Sequence, residues 1–309
     1  MLLRIYGLLI LTYDVVALFF FLVTSLIESA YHLFSPPQPK TLTKDIVLIA
    51  GAAHGLGKAL AADFTMHGAT VICCDIDTRC NEESAESADS LGYGIAHAYA
   101  YTCDITKREQ VMAMAARIQK EIGTVTVIIN CCNLPSPNII LEHTTHDAKK
   151  IFNIAVLSHL WILQAFLPGM KKKRRGHLVM MSSLAGLSGV NELLPLSSAQ
   201  FAVQGIAESL NEELRFGGYG KNIKVTLVHI YPLIVPSDMA DSIQFRLPSY
   251  YGIISPAAAS KLILDAIKRN YLEVSIPGYL LYIGKLVRVL PRKAIFATRE
   301  LLNTGVDFS

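Results

Sequence analysis

The sequence predicts an α/β protein in which one doubly wound, seven-stranded parallel sheet forms a single domain behind an N-terminal hydrophobic helix. Seven near-continuous apolar runs alternate with helical stretches, which is typical of a parallel sheet buried on both faces. A glycine-rich turn follows the first run, and a long apolar stretch precedes it. The 309 residues are 52% hydrophobic, with a mean hydropathy of +0.39, so the chain is more apolar than a water-soluble core of this size requires.

We divide the chain into four segments: a hydrophobic anchor (1–34), a linker (35–44), the sheet domain (45–276) and a basic amphipathic tail (277–309). From Tyr6 to Ile27 the chain is long and apolar enough to cross a bilayer as one helix. A secretory signal peptide and a buried helix are the alternatives, but residues 28–34 make a poor cleavage site. The charged carboxylate of Asp14 would be energetically costly inside the bilayer unless it is protonated or paired. Flanking charges are too few to set an orientation.

The apolar runs predict strands at Ile46–Ala50, Thr70–Asp75, Ala98–Cys103, Val125–Asn130, His177–Ser182, Lys224–His229 and Leu272–Ile276. The stretches near them predict helices at Leu56–His67, Asn81–Leu91, Lys107–Ile122, Ala148–Met170, Leu196–Phe216 and Pro256–Asn270. The long connection Tyr231–Ser255 is typical of a lid or binding loop. The tail Tyr279–Leu302 mixes apolar and basic residues, which fits a helix in a membrane interface or one packed on the fold's own surface.

The charge pattern argues against a nucleic-acid partner. Net charge is +3, and the one dense basic run, Lys171–Arg175, has no interleaved aromatic residues. We interpret this run as a solvated loop, with proximity to anionic lipid as an alternative. The six cysteines follow neither CxxC nor Cys/His ligand spacing, so we expect reduced thiols, a domain facing the cytosol and no metal site.

The turn after the first strand carries Gly51, Gly55, Leu56 and Gly57 at the start of a helix. Glycines there permit a tight turn and close backbone approach, and free N–H groups at a helix start favour a pyrophosphate. Asp75 ends the second strand, where a carboxylate can accept hydrogen bonds from both ribose hydroxyls and repel a 2′-phosphate. We therefore predict a Rossmann-like fold that binds NAD rather than NADP. The plainer alternative for Asp75 is a cap at the strand end.

These residues resemble the classical short-chain dehydrogenases/reductases. Ala50–Gly57 looks like their glycine turn, Cys103–Ile105 like their adenine-contacting segment, and Gly176–Gly189 like their serine-bearing strand. His159–Trp161, Ala165–Pro168 and Ser182–Asn191 are similar to family 16C, which holds epidermal retinol dehydrogenases and lipid-droplet 17β-hydroxysteroid dehydrogenases. The resemblance implies cofactor contacts from Asp104, Ile105, Asn130 and Pro232. In the fourth strand, Cys131, Cys132 and Asn133 replace the family's asparagine, alanine and glycine. We expect the two thiols to be buried and inert.

The family also implies a catalytic asparagine, serine, tyrosine and lysine. The serine corresponds to Ser183, while Ala155, Leu196 and Gln200 stand where the asparagine, tyrosine and lysine are expected. Leucine has no proton to give, and loss of one general acid or base typically costs 10² to 10⁴ in rate. Ser197 and Ser198 point elsewhere, because each helical residue turns by about 100°. The histidines that could donate a proton instead are expected in a turn, on a helix face and at a strand start: His54, His159 and His177.

The sequence thus predicts a membrane-associated protein of retinoid, steroid or lipid metabolism that is catalytically impaired and acts by nucleotide or partner binding. The alternatives are an active NAD-dependent oxidoreductase on a lipophilic alcohol or carbonyl, and a lipid-surface structural protein that binds no nucleotide. We expect the endoplasmic reticulum membrane or a lipid droplet as the location, a lipophilic small molecule as ligand, and a homodimer through the family's usual helices.

Overall fold

The computed structural model describes residues 2–132, 145–189, 193–230, 254–291 and 293–295. Residues 1–40 and 41–309 form two compact units. The first unit contains helix α1 (Leu2–Phe34), whose described side chains are all exposed except that of Ser25. Within α1, Leu9–His32 has a mean hydropathy of 2.2 and is long and apolar enough to cross a membrane.

The second unit is built on a seven-stranded parallel sheet, as predicted. Its strands are β1 (Ile46–Ala50), β2 (Thr70–Asp75), β3 (Ala98–Thr102), β4 (Val127–Asn130), β5 (Gly176–Ser183), β6 (Ile223–Ile230) and β7 (Glu273–Ile276). The strand order is β3-β2-β1-β4-β5-β6-β7, so the winding reverses between β1 and β4. In open α/β sheets, ligands bind outside the carboxyl ends of the strands at such a reversal.

The helices of this unit are α2 (Gly55–Met66), α3 (Thr78–Ser90), α4 (Arg108–Glu121), α5 (Thr145–Phe152), α6 (Ser158–Lys173), α7 (Leu184–Leu187), α8 (Leu194–Phe216), α9 (Pro256–Lys268) and α10 (Tyr279–Val289). A π-helical turn, Asn153–Leu157, joins α5 to α6. The segment His146–Lys173 is also apolar enough to span a membrane by composition. A third of it is buried, and Ile162, Phe166 and Met170 belong to the core, so we assign it to the fold.

Two hydrophobic cores cover the two faces of the sheet. One core packs side chains of α4, α6 and α8 against the sheet, among them Ile118, Met170 and Leu214. The other packs α2, α3 and α9 against the opposite face, with Phe64 and Ile263 fully buried. Strands enclosed on both sides need apolar side chains at nearly every position, which explains their continuous apolar runs.

Helix α10 packs on the surface of the fold, as one of the two alternatives for the tail predicts, and it also has an exposed apolar face. Leu280, Leu281 and Val287 are buried, while the exposed large side chains of this helix are Tyr279, Tyr282, Leu286 and Val289. An ionic network (Glu273, His229 and Lys285) ties α10 to the sheet. Nε2 of the fully buried His229 donates to Glu273 Oε1 at 2.9 Å, and the ammonium of Lys285 pairs with Glu273 Oε2. These hydrogen bonds, first from His229 and then from Lys285, lower the pKa of Glu273 from 4.5 to about 2.

The basic run is more structured than a solvated loop. Lys171–Lys173 form the last turn of α6, and Arg174 ends that helix in the left-handed conformation, with φ +49°. Arg175 Nη2 lies 2.8 Å from Oδ1 of the buried Asp45. The interpretation as a loop is therefore wrong for most of the run, since a lysine-rich helix end complements the helix dipole and Arg175 neutralises a buried carboxylate.

Candidate functional site

The glycine turn after β1 is shaped by close backbone contacts. A Cβ atom on Gly51, which has φ +85°, would lie 2.7 Å from the carbonyl oxygen of Cys131. A Cβ atom on Gly57 would lie 1.9 Å from the carbonyl oxygen of Gly51. Both distances are far below van der Waals contact, so only glycine allows α2 to approach β1 and β4 this closely.

Gly55 has a different role, because its surroundings are open. It has φ +53°, and among the described residues no atom lies within 4 Å of the position its Cβ would take. Helix α2 begins there, and the side chain of the preceding His54 makes no capping hydrogen bond. The N–H groups of Gly55, Leu56 and Gly57 thus form the uncapped positive end of a helix beside open space. This cradle fits the pyrophosphate of a dinucleotide.

Asp75 connects the turn after β1 with the loop after β2, at the carboxyl edge of the sheet. Its Oδ2 accepts from the N–H of Ala53 at 3.1 Å, and its Oδ1 accepts from the N–H of Asp77 at 3.1 Å. Asp75 therefore caps the end of β2, as the plainer alternative predicts. Each carboxylate oxygen has two acceptor positions, so the hydrogen bonds to Ala53 and Asp77 leave capacity for ribose hydroxyls.

Asp104 orders the turn after β3. Its Oδ1 accepts from the N–H and the hydroxyl of Thr106, at 2.9 and 2.7 Å, while its own N–H donates to Gln110 Oε1. Ile105 is buried in the core beside it. The two residues thus lie at the carboxyl edge of the sheet, where adenine contacts were expected.

Asn130 links the end of β4 to α6. Its Nδ2 donates to the hydroxyl of Ser158 at 2.8 Å, and that hydroxyl donates to the carbonyl oxygen of Ile154 at 2.6 Å. Asn130 and Ser158 are buried, so these hydrogen bonds satisfy groups that water does not reach. Asn130 therefore holds the π-helical turn in place, a role that the sequence did not indicate.

Ala155 lies in that π-helical turn. It is buried against Ile151 and Ala199, so its methyl group packs into a small apolar cluster between α5 and α8. Single π-turns inside helices occur frequently at functional sites. The π-helical turn is present here, while the asparagine side chain that the resemblance implies is replaced by the methyl group of Ala155.

The three candidate histidines are engaged elsewhere. His159 Nδ1 bonds the carbonyl oxygen of Ala155 at 2.8 Å, and burial lowers the pKa of His159 to about 4. His177 is buried on β5, with Nε2 2.7 Å from the hydroxyl of Thr226. His54 is exposed, and its Nε2 lies 3.5 Å from Asp77. With a pKa of about 4 the imidazole of His159 is neutral at neutral pH, and its remaining N–H is a far weaker acid than an imidazolium.

Ser183 ends β5 and is half-buried. Its hydroxyl oxygen accepts from the N–H of Ala185 at 3.1 Å, which fixes the turn into α7. The neighbouring Ser182 donates to the carbonyl oxygen of Gln200 at 3.5 Å, which is a long hydrogen bond between β5 and α8. The retained serine thus stands at the carboxyl edge of the sheet, next to the helix that carries Leu196 and Gln200.

Helix α8 presents no proton donor in place of a tyrosine. Leu196 is half-buried. Ser198 is exposed, and its hydroxyl donates to the carbonyl oxygen of Leu194 at 2.8 Å. Ser197 is buried, and a serine hydroxyl is far less acidic than a phenol.

Gln200 is buried, and its Oε1 has no hydrogen-bond partner among the described residues. An unpaired buried amide oxygen is costly. A ribose hydroxyl that donated to this oxygen would satisfy it, so this acceptor suits a bound sugar although the ammonium charge is missing.

Cys73, Cys74 and Cys103 are buried, while Cys80, Cys131 and Cys132 are half-buried. Burial raises the pKa of Cys131 to about 12 and that of Cys132 well above its usual range. Such thiols stay protonated at neutral pH and are poor nucleophiles. All six cysteines are free. Pro232 and Asn133, also predicted to take part in the site, lie outside the described residues, as does most of the connection Tyr231–Ser255.

The chain is similar in sequence to short-chain dehydrogenases along most of its length. A family model described as short chain dehydrogenase matches residues 45–246. The chain is 36% identical to epidermal retinol dehydrogenase 2 of Mus musculus over 264 residues, which covers 85% of this chain and 83% of that protein. It is 29% identical to human 17-beta-hydroxysteroid dehydrogenase 13, with 94% of each chain covered.

Solved structures show the same fold. A short chain dehydrogenase/reductase from Burkholderia phymatum in complex with NAD matches with a TM-score of 0.68 and 18% identity, over 87% of this chain and 98% of that one. A metagenomic short-chain oxidoreductase in complex with NADP matches with a TM-score of 0.61 and 21% identity, over 76% of this chain and 97% of that one.

Proposed function

Because this chain belongs to the short-chain dehydrogenase family, we propose that it binds a nicotinamide dinucleotide in a cleft that has lost its proton relay. In this proposal it is a membrane-associated protein of retinoid, steroid or lipid metabolism that acts by nucleotide or partner binding. Its similarity to a retinol dehydrogenase and a hydroxysteroid dehydrogenase supports the metabolic class.

One observation carries the proposal. By the resemblance, Ala155 and Leu196 hold the positions of the family's asparagine and tyrosine, and among the residues that the structure describes we find no replacement acid around them. Ala155 packs in an apolar cluster, and the adjacent His159 has a pKa of about 4. A bound nicotinamide supplies or accepts the hydride in this family's chemistry. The protein must supply the accompanying proton when a carbonyl is reduced and accept it when an alcohol is oxidised, and at this wall of the cleft the described side chains offer no group for that exchange.

Nucleotide binding rests on different residues, which are intact. Gly51, Gly55 and Gly57 form the cradle, Asp75 stands at the end of β2, and Gln200 offers an unpaired oxygen. We propose NAD in preference to NADP, because the Asp75 carboxylate would repel a 2′-phosphate. Because Gln200 lacks the ammonium charge of the lysine expected at this position, we expect weaker binding of the dinucleotide.

Membrane association rests on α1, whose exposed apolar side chains need a covering. We propose that it anchors the protein in the endoplasmic reticulum membrane or at a lipid droplet with the sheet domain facing the cytosol. The exposed aromatic and aliphatic face of α10 fits the same surface. A homodimer through Ala148–Met170 and Leu196–Phe216 stays a prediction.

The decisive experiment is an assay of reconstituted membranes with retinol, estradiol and fatty alcohols plus NAD, and with the corresponding carbonyls plus NADH. We expect no turnover above membranes from an empty-vector control. Robust turnover would refute the proposal. The triple variant Ala155→Asn, Leu196→Tyr and Gln200→Lys tests whether the pocket is otherwise intact, since it restores the acid and its partners.

A second candidate is an active oxidoreductase that uses Ser183 with water or a histidine. The observation in its favour is His159 Nε2, which has no hydrogen-bond partner in the described part of the chain. On this hypothesis Ser183→Ala abolishes activity, and an unchanged rate contradicts it. A third candidate, a structural lipid-surface protein without nucleotide, predicts no thermal shift on addition of NAD or NADH, whereas the first two predict a rise in Tm.

A further inference from the structure

Three metal-ligating side chains meet beside the glycine cradle. His54 comes from the turn after β1, Asp77 precedes α3, and Cys80 lies in the first turn of α3. One ligand atom of each, an imidazole nitrogen, a carboxylate oxygen and the sulfur, lies within 4.8 Å of the other two. His54 Nε2 is 3.5 Å from Asp77 Oδ2. We call these three residues the His-Asp-Cys cluster.

The fold brings the cluster together from residues that are distant in sequence. Strands β1 and β2 pair in parallel, with Ala50 opposite Cys74, so the turns that follow them leave the sheet side by side. The hydrogen bond from the Ala53 N–H to Asp75 joins these two turns at 3.1 Å. His54 and Asp77 each lie one or two residues beyond that link, which holds the cluster on ordered backbone.

The capping geometry directs one carboxylate oxygen of Asp77 toward His54. Asp77 Oδ1 accepts from the N–H of Cys80 at 3.1 Å, so Oδ2 is the oxygen that faces His54. His54 and Asp77 are exposed and Cys80 is half-buried, so each side chain can rotate without disturbing a core.

The donor set is one that Zn²⁺ prefers. Imidazole nitrogen, carboxylate oxygen and thiolate sulfur bind Zn²⁺ at about 2.0 to 2.3 Å, and sites with three protein ligands leave a fourth position for water or another ligand. Tetrahedral ligands at such bond lengths are roughly 3.3 to 3.8 Å apart. The cluster therefore needs only small side-chain rotations to close around an ion. We propose that His54, Asp77 and Cys80 form a three-ligand site for a borderline-soft divalent cation such as Zn²⁺.

A plain surface ion pair between histidine and aspartate is the competing explanation. The same unit contains such a pair, His97 with Asp89, whose Nδ1 and Oδ1 atoms are 3.2 Å apart and exposed. It belongs to no group of three ligands in the described residues. His97→Ala is therefore a matched control, which removes an exposed histidine from an aspartate without touching the cluster.

The His-Asp-Cys cluster lies beside the proposed dinucleotide site, so a bound ion is expected to affect dinucleotide binding. This expectation rests on the proposed nucleotide binding. The two turns that carry His54 and Asp77 are also those that present the glycine cradle and Asp75. An ion bound there changes the charge and the side-chain positions at the entrance for the adenosine ribose. We therefore expect metal and dinucleotide to exclude one another.

The test uses Co²⁺ as a spectroscopic probe on the full chain in detergent micelles. A thiolate–Co²⁺ bond gives a near-ultraviolet charge-transfer band, and a tetrahedral site gives intense visible bands. We expect both, with displacement by Zn²⁺. Cys80→Ser should abolish the charge-transfer band, and His54→Ala should weaken Co²⁺ binding by about tenfold or more. His97→Ala should leave the spectrum and affinity unchanged.

Absence of a charge-transfer band in the wild-type chain would overturn the proposal, and so would a band that persists in Cys80→Ser. Thermal unfolding of the two cluster variants verifies that they are folded. The coupling is measured with NADH: with free Zn²⁺ at ten times its Kd, the apparent Kd for NADH should rise about elevenfold by mass action. An unchanged Kd refutes the exclusion. If the metal-free chain binds no NADH, the proposed nucleotide binding fails, and the cobalt spectrum alone decides the metal site.

Discussion

Replacing Glu273 by glutamine tests the ionic network that holds α10. The side chain is one-quarter exposed, and hydrogen bonds from His229 and Lys285 lower its pKa from 4.5 to about 2. Since a tenfold change in proton affinity is 1.36 kcal/mol, this difference corresponds to about 3 kcal/mol. Partial exposure reduces the value, and glutamine retains an acceptor for His229, so we expect a loss of about 2 kcal/mol at pH 7.

The pH dependence of the free energy of unfolding follows from the direction in which the pKa of Glu273 changes on folding. A carboxylate with a lowered pKa in the folded state stabilises the fold above its unfolded pKa, here 4.5, and the contribution is lost as the pH falls toward 2. The difference between the wild-type chain and Glu273→Gln should therefore be full at pH 7 and reduced to about a quarter of that value at pH 2.5. Urea unfolding of the full chain in micelles, followed by fluorescence of the single tryptophan, Trp161, measures it.

An exposed carboxylate serves as the control. Glu83 pairs with Arg79 at 3.0 Å on the surface of α3, and exposed pairs of this kind contribute about 0 to 1 kcal/mol. Glu83→Gln should therefore shift the unfolding midpoint little at any pH. If Glu273→Gln loses no more stability than Glu83→Gln at pH 7, or loses the same amount at pH 7 and pH 2.5, the reasoning is refuted.

The remaining predictions concern packing and buried charge, and the same urea titration checks each of them. Gly57→Ala places a Cβ 1.9 Å from the Gly51 carbonyl oxygen and should cost about 1 to 3 kcal/mol; wild-type stability would contradict the close packing of the cradle. Asp45→Asn removes the charge that pairs with Arg175 at 2.8 Å and should cost about 1 to 3 kcal/mol; unchanged stability would contradict a contribution from this pair. Phe64→Ala opens a cavity at a fully buried position and should cost about 3 to 5 kcal/mol, with a loss below 1 kcal/mol as the contrary result.

The sheet was predictable because its strands are enclosed on both faces. A run such as Ile46–Ala50 is apolar at every position, and a glycine turn after such a strand is typical of a helix start in dinucleotide-binding folds. The boundaries were less accurate, since β4 begins at Val127 rather than Val125. Strand ends depend on hydrogen bonds to neighbouring strands, which local patterns do not specify.

Two parts of the site could not be predicted. The stretch Asn153–Leu157 has the composition of an ordinary helix, and its π geometry depends on tertiary hydrogen bonds from Asn130 through Ser158. The His-Asp-Cys cluster joins residues 54, 77 and 80, whose spacing matches no metal motif. In both cases the deciding contacts connect segments that only the parallel pairing of the strands brings together.

The π-helical turn sets the direction of any side chain introduced at position 155. A π-turn inserts one extra residue into a helix and so rotates everything before it by about 100° relative to an uninterrupted helix. Residue 155 lies inside this turn, where its methyl group packs against Ile151 and Ala199. The direction of an Ala155→Asn side chain in the proposed triple variant thus depends on the hydrogen bonds from Asn130 through Ser158 that hold the turn.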